Sequence, residues 1–130
     1  NPGLNSGFMI TQYTTAALVS ENKSLCFPSS ADSIPTGMGQ EDHVSMGSIS
    51  GRKCLEVIAN LEKILAIELL HSAQALEFRR PNKFSSPIEK TLSFIRKNVK
   101  KLNQDRVLNT DIDLIIDLIE KQVFNVYPEL

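Results

Sequence analysis

Only two cysteines and two histidines occur in the 130 residues, and neither pair is spaced to hold a metal. Cys26 and Cys54 form no CxxC pair, and His43 and His71 stand 28 positions apart. A zinc site needs three or four ligands in tight local pairs, so no metal centre is expected. One disulfide stays open by count. With no dense cysteine framework and no secretory leader, however, the thiols read as intracellular, and the expected location is the cytoplasm. No apolar run reaches the ~18 residues of a membrane span, so no membrane partner is expected. Neither sign of charge dominates: 14 basic and 15 acidic side chains leave a net charge of −1. There is no basic stripe, and aromatics are too few (6%) to interleave with cations, so no nucleic-acid partner is expected. The opening "NPGLNSG" carries no initiating Met and runs at once into apolar sequence, which reads as a cut inside a larger protein.

What is present is helical. At 42% hydrophobic content, 130 residues suffice for one compact domain with a core. Four helical segments are expected, at about 6–22, 41–78, 86–100 and 110–123, and no strand. The first gathers Phe8, Met9, Tyr13, Ala16, Ala17 and Val19 with one charge, Glu21, as a helix in a core or a subunit interface would. Residues 23–40, rich in Ser, Pro and Gly, form a long connection, and loops of that length are more often functional than idle.

The second segment repeats Leu55, Ile58, Leu61, Leu65, Leu69 and Ala73 at three- and four-residue steps, with further apolar residues off that stripe. Pro81 should end it. Ser86 as N-cap, Pro87 at the first helical position and Glu89 as a capping-box acid start the third. Thr110 caps the fourth, with Asp111 and Asp113 in the favourable field of its first turn. The fold class is therefore all-α: a long-helix bundle with two short amphipathic helices at its C-terminal end.

One run stands out chemically. "QEDH", Gln40 to His43, packs an amide, two carboxylates and an imidazole together. Alone it reads as an acidic first helical turn. Its surroundings say more. "SGFMITQYTTAALVSENK", "PSSADSIPTGMGQEDHVSMG" and "LEFRRP…SSPIE…DRVL" resemble, in order and spacing, the C-terminal part of the histidine branch of the aromatic amino acid ammonia-lyases. The likeness runs from about Gly7 to Val123, and "SADSIPT…QEDHVSM" is its most specific piece.

The resemblance implies a C-terminal portion, 1–130, of a mostly helical homotetramer with active sites lined by several subunits. Its small-molecule substrate would be L-histidine, converted to trans-urocanate by loss of ammonia. The family's electrophile is a methylidene-imidazolone made from an Ala-Ser-Gly triplet. Glu41 matches the position facing the substrate side chain, where a carboxylate accepts a hydrogen bond from the imidazole N–H or exchanges a proton with it. Phenylalanine and tyrosine lyases carry Gln there. Met9 matches a second position linked to substrate choice, and Gln40 a polar residue near the electrophile.

Two features depart from the pattern. The family's Ser-Ala-Asn before "QEDH" is replaced by Gly37-Met38-Gly39, which should make the approach more flexible. No Ala-Ser-Gly occurs anywhere; "SISG" at 48–51 lacks the alanine. The chain alone is therefore expected to be inactive. The alternatives are a tyrosine- or phenylalanine-type lyase or aminomutase, or a helical oligomerisation module without chemistry. Asp42 is expected to cap a helix, His43 to be structural, Tyr13 to be a core or interface aromatic, and His71 to be a packed or interface histidine.

Overall fold

The computed structural model describes residues 3–31, 34–40 and 46–124. Its helices are α1 (Gly7–Leu25), α2 (Gly47–Glu77), α3 (Ser86–Asn98) and α4 (Asn109–Glu120), and a short 3₁₀ turn covers Gly37–Gly39. The described residues contain no strand, and the all-α expectation holds. The first turn expected of the second helix falls on residues 41–45, outside the described residues. The chain divides into two compact units, one of Asn1–Thr15 with Glu62–Leu130 and the other of Ala16–Leu61.

The first unit holds the core. Ala66, Leu70 and Ala73 of α2 are buried with Leu92 and Ile95 of α3, Ile115 of α4, and Val99 and Leu108 between those helices. The 3- and 4-residue spacing of these positions is what puts them on single helix faces. The α2 contribution is partly alanine, so most of the apolar volume comes from Leu92, Ile95, Val99 and Ile115. α3 starts with Pro87 in its first turn, where no intrahelical partner is lost, and closes with Arg96 and Lys97 favourably placed at its C-terminal end. α2 ends at Glu77, and the chain turns through Phe78–Asn82 on i→i+3 backbone bonds before Pro81 can oppose the helix.

Long-range polar contacts tie this unit together. The Gln74 side chain, buried in α2, donates to the Leu102 carbonyl (2.8 Å) and accepts from the Leu102 N–H (3.0 Å). One amide thus satisfies both backbone groups of a residue in the α3–α4 connection, as a neighbouring strand would. The Asp105 carboxylate accepts from the Gly7 N–H at 2.9 Å, placing a negative charge where α1 leaves its first N–H groups unpaired. A Cβ on Gly7 would sit 3.0 Å from Asp105 Oδ1, so any larger residue there would push the carboxylate back by a few tenths of an ångström. Arg106 donates to Asp111 through Nε (2.9 Å) and also reaches the Lys100 carbonyl (2.7 Å).

These contacts correct the expected caps. Ser85, not Ser86, occupies the N-cap of α3, and its side chain makes no capping bond. Glu89 is instead held by Arg80 through two bonds (2.9 and 2.8 Å) and accepts weakly from the Phe84 N–H (3.3 Å). That bidentate bond from Arg80 keeps the Glu89 carboxyl below the usual carboxylate range. Leu108, not Thr110, is the N-cap of α4. Asp111 does lie in the first turn of α4, but it is buried against Arg106.

The second unit contains the C-terminal part of α1, the connection and the first turns of α2. Buried Asn60 uses both amide protons, to Glu21 Oε2 (2.9 Å) and Asn22 Oδ1 (3.0 Å). Several apolar residues here are uncovered. Leu55, Ile58 and Leu61, expected on the buried stripe of α2, are exposed, as is Val19 of α1. In the first unit Leu65, Ile10 and Tyr13 are exposed too, so Tyr13 is not a core residue of this chain. Thr11 is the residue of α1 that is buried, with Phe8 packed against the core.

Candidate functional site

The connection reaches Gln40 through a left-handed turn. Thr36 is extended (φ −131°, ψ 170°), and then Gly37 (φ 61°), Met38 (φ 57°, ψ 34°) and Gly39 (φ 85°) all take positive φ. Two backbone bonds hold the turn: Gly39 N–H to the Thr36 carbonyl (3.2 Å) and Gln40 N–H to the Gly37 carbonyl (3.3 Å). Glycine adopts this conformation without the Cβ penalty, so the two glycines that replace the family's Ser-Ala-Asn suit the backbone they occupy. They form a turn closed by two backbone hydrogen bonds. Met38 bears the left-handed conformation as a non-glycine residue, at a cost of ~1–2 kcal/mol, with its side chain fully exposed. Gln40 follows in helical conformation (φ −77°, ψ −27°) and is exposed.

Glu41, Asp42 and His43 lie outside the described residues. Met9 belongs to the first unit, in the opening turn of α1, where its N–H meets the Ser6 carbonyl at 2.9 Å. It is 51% exposed, a surface position and not a core one.

The sequence reading missed a polar contact inside the first unit. Thr11 Oγ1 lies 2.7 Å from His71 Nε2 and 2.9 Å from the Phe8 carbonyl oxygen. The Phe8 and His71 rings sit 4.4 Å apart at 35°. A hydroxyl carries one proton, so both short contacts are satisfied when Thr11 donates to Phe8 and a neutral His71 donates through Nε2–H. His71 is thus a packed histidine, as expected, but its partner stands 60 positions away in sequence. No local pattern announces such a pair.

Burial holds the His71 imidazole below its ordinary pKa. An unfolded imidazole starts to protonate near pH ~6.5. Between there and the lower folded value the unfolded chain binds more protons, so stability falls as pH falls and is flat above that window. Urea denaturation at stepped pH from about 7.5 to 5 should show this decline in the natural chain and a shallower one in His71→Gln. Parallel profiles would show that His71 does not carry the effect.

Among the described residues, the cavities lined by the first unit hold neither Met9 nor Gln40. The first unit contains a groove of about 700 Å³ lined by Leu76, Ile88, Leu92 and Ile95 with Arg79 as its cation. It brings together no acid–base pair. Among the described residues no group of three or more His, Cys, Asp or Glu could hold a metal ion, and no helix is long and apolar enough to cross a membrane.

Comparison with known proteins connects these features. Residues 1–97 match the profile of the aromatic amino acid lyases. The chain is 53% identical over 117 residues to a histidine ammonia-lyase of Natranaerobius thermophilus, covering 90% of this chain and 23% of that protein. It is 51% identical over 120 residues to the histidine ammonia-lyase of Homo sapiens, covering 92% of this chain and 18% of the human protein. The chain therefore spans about a quarter or less of the length of these relatives. The crystal structure of histidine ammonia-lyase from Trypanosoma cruzi superposes with a TM-score of 0.92 at 50% identity, over 96% of this chain and 25% of that one. A tyrosine aminomutase from Streptomyces globisporus superposes at 0.89 with 39% identity, over 95% of this chain and 24% of that one. With sequence and backbone agreeing over nearly the whole described chain, it belongs to the aromatic amino acid lyase family.

Proposed function

We propose that this chain is the C-terminal part of a histidine ammonia-lyase, a cytoplasmic homotetramer that eliminates ammonia from L-histidine to give trans-urocanate. Glu41 carries the reading. A carboxylate suits an imidazole, which offers it an N–H and a proton to exchange, whereas a phenyl or phenol ring offers neither at that place. The histidine ammonia-lyases at about half identity support the same branch.

In this reading Glu41 binds and orients the imidazole and moves a proton at its ring nitrogen. Gln40, on the turn built by Gly37 and Gly39, contributes an amide beside it. Met9 forms part of the apolar surround of the substrate. The exposed apolar residues of α1 and α2 support assembly with other copies, since a single chain leaves them in water.

The electrophile of such enzymes accepts the negative charge of the reaction and is built from Ala-Ser-Gly. The residues here do not fit it. No such triplet occurs in the 130 residues, and Ser48–Gly51 is continuous with regular helix in α2. The roles assigned to this chain therefore stop at binding and proton transfer.

The tyrosine aminomutase-like reading is favoured by the superposition at 0.89 and opposed by Glu41. Urocanate absorbance with L-histidine, beside chromatography of the products formed from L-tyrosine, separates the cases. The whole enzyme should turn over L-histidine far faster than L-tyrosine, and the 130-residue chain alone should give no signal above a blank. Preference for tyrosine, or turnover by the chain alone, would sink the reading.

A further inference from the structure

The connection between α1 and α2 begins and ends near a thiol. Cys26 directly follows α1, which ends at Leu25, and Cys54 lies in the second turn of α2. Both are free and exposed. They are 28 positions apart in sequence, yet both line one cavity of about 310 Å³ within the second unit, together with Phe27, Pro28, Ser50 and Lys53. Their chain neighbours touch: Lys53 Nζ donates to the Phe27 carbonyl oxygen.

The backbone carrying Cys26 is itself fixed. The Cys26 N–H bonds to the Asn22 carbonyl (3.0 Å) and the Phe27 N–H to the Ser24 carbonyl (3.2 Å). On the same side, the Asn60 amide holds Glu21 and Asn22 against α2. Two independent ties, Lys53 to Phe27 and Asn60 to Glu21 and Asn22, therefore bracket the thiol pair. A disulfide needs Cβ atoms about 3.5–4.5 Å apart; side-chain rotation moves only the sulfurs, so closing the pair across the shared cavity takes a backbone adjustment at Cys26 or Cys54.

We infer that Cys26 and Cys54 act as a redox pair, oxidised reversibly by a low-molecular-weight disulfide of the glutathione class to an intramolecular disulfide. One cysteine thiolate attacks the glutathione disulfide, forms a mixed disulfide and releases one glutathione thiolate. The other cysteine thiolate then attacks the protein sulfur of that mixed disulfide and releases the second. The two cysteine thiols lose two electrons and two protons, and the oxidant becomes two glutathione thiols. The bond closes the segment carrying Gln40 and Glu41 into a covalent loop, which narrows the conformations open to it. Exposure of both sulfurs gives the oxidant access.

The test uses the 130-residue chain, oxidised glutathione and intact mass spectrometry without reductant. The expected product is a monomer lighter by about 2 Da, the two hydrogens lost, with both thiols closed to maleimide and both restored by dithiothreitol. A peptide map should join Cys26 to Cys54. Cys54→Ser should instead stop at a stable glutathione adduct on Cys26. Persistent double adducts in the natural chain, disulfide-linked dimers, or two unreacted thiols would each overturn the inference. No turnover is read, so the result is independent of the proposed lyase activity.

Discussion

Glu41→Gln in the whole enzyme is expected to lower kcat/KM for L-histidine by roughly 10²–10⁴-fold, the range over which positioned acid–base groups act. The substitution keeps size and shape and removes the charge and the exchangeable proton. The amide still accepts a hydrogen bond from the imidazole N–H, so binding should suffer less than turnover. The loss should therefore fall mainly on kcat, with KM changed less. Steady-state urocanate formation measures both. A variant within a few-fold of the natural enzyme would place Glu41 outside the reaction and return "QEDH" to an acidic helix start. A variant that gains on L-tyrosine would show that the charge at Glu41 selects for the imidazole.

The second large effect is on stability. Ile115 is 0% exposed and among the largest fully buried side chains, packed in the cluster formed by α2, α3 and α4. Ile115→Ala should cost about 2–5 kcal/mol, the transfer free energy of the lost carbons plus the cavity they leave. Against a total stability of about 5–15 kcal/mol this is a large fraction, and the urea midpoint should fall accordingly. The comparison is Leu55→Ala. Leu55 is 68% exposed, and its truncation in an isolated chain should change stability by no more than ~0.5 kcal/mol. If Leu55→Ala costs as much as Ile115→Ala, that face is covered in solution by another copy, and the effect should grow with protein concentration. If Ile115→Ala is silent, the core is wrongly located.

That contrast shows how much of the fold was legible. The apolar spacing of Leu92, Ile95 and Val99 and the proline at the start of α3 are local signals, and those three residues are buried as expected, while Ile88 of the same spacing is exposed. The stripe of α2 held only at its C-terminal end. Leu55, Ile58, Leu61 and Leu65 have the right period for burial, yet they are exposed in this chain, while Ala73 of the same stripe is buried with Ala66, Ile67 and Leu70 off it. Period alone cannot choose between two apolar faces. The choice is made by which face the core side chains of α3 and α4 cover, and alanine adds little to a hydrophobic pattern. The first helix was likewise read correctly as apolar, and its burial depends on what surrounds it.

For the candidate site the balance differs. Glu41, Gln40 and Met9 were assigned only by resemblance to a family, and the match over residues 1–97 supports the family itself. The left-handed turn that leads to Gln40 was not part of that reading, although left-handed backbone is cheap only for glycine and two glycines stand there.

By itself, then, the amino-acid sequence determined the helical class, the helix-starting proline, the glycine-dependent turn and the family. All are written in short-range patterns of period, ring constraint and missing Cβ. Only the tertiary structure decided which faces are dry and where the long-range polar bonds fall. Asp105 on the start of α1, Gln74 on Leu102 and Thr11 on His71 join residues 98, 28 and 60 positions apart. Such pairs exist because packing strips water from groups that must then find each other, and no local spacing records that requirement.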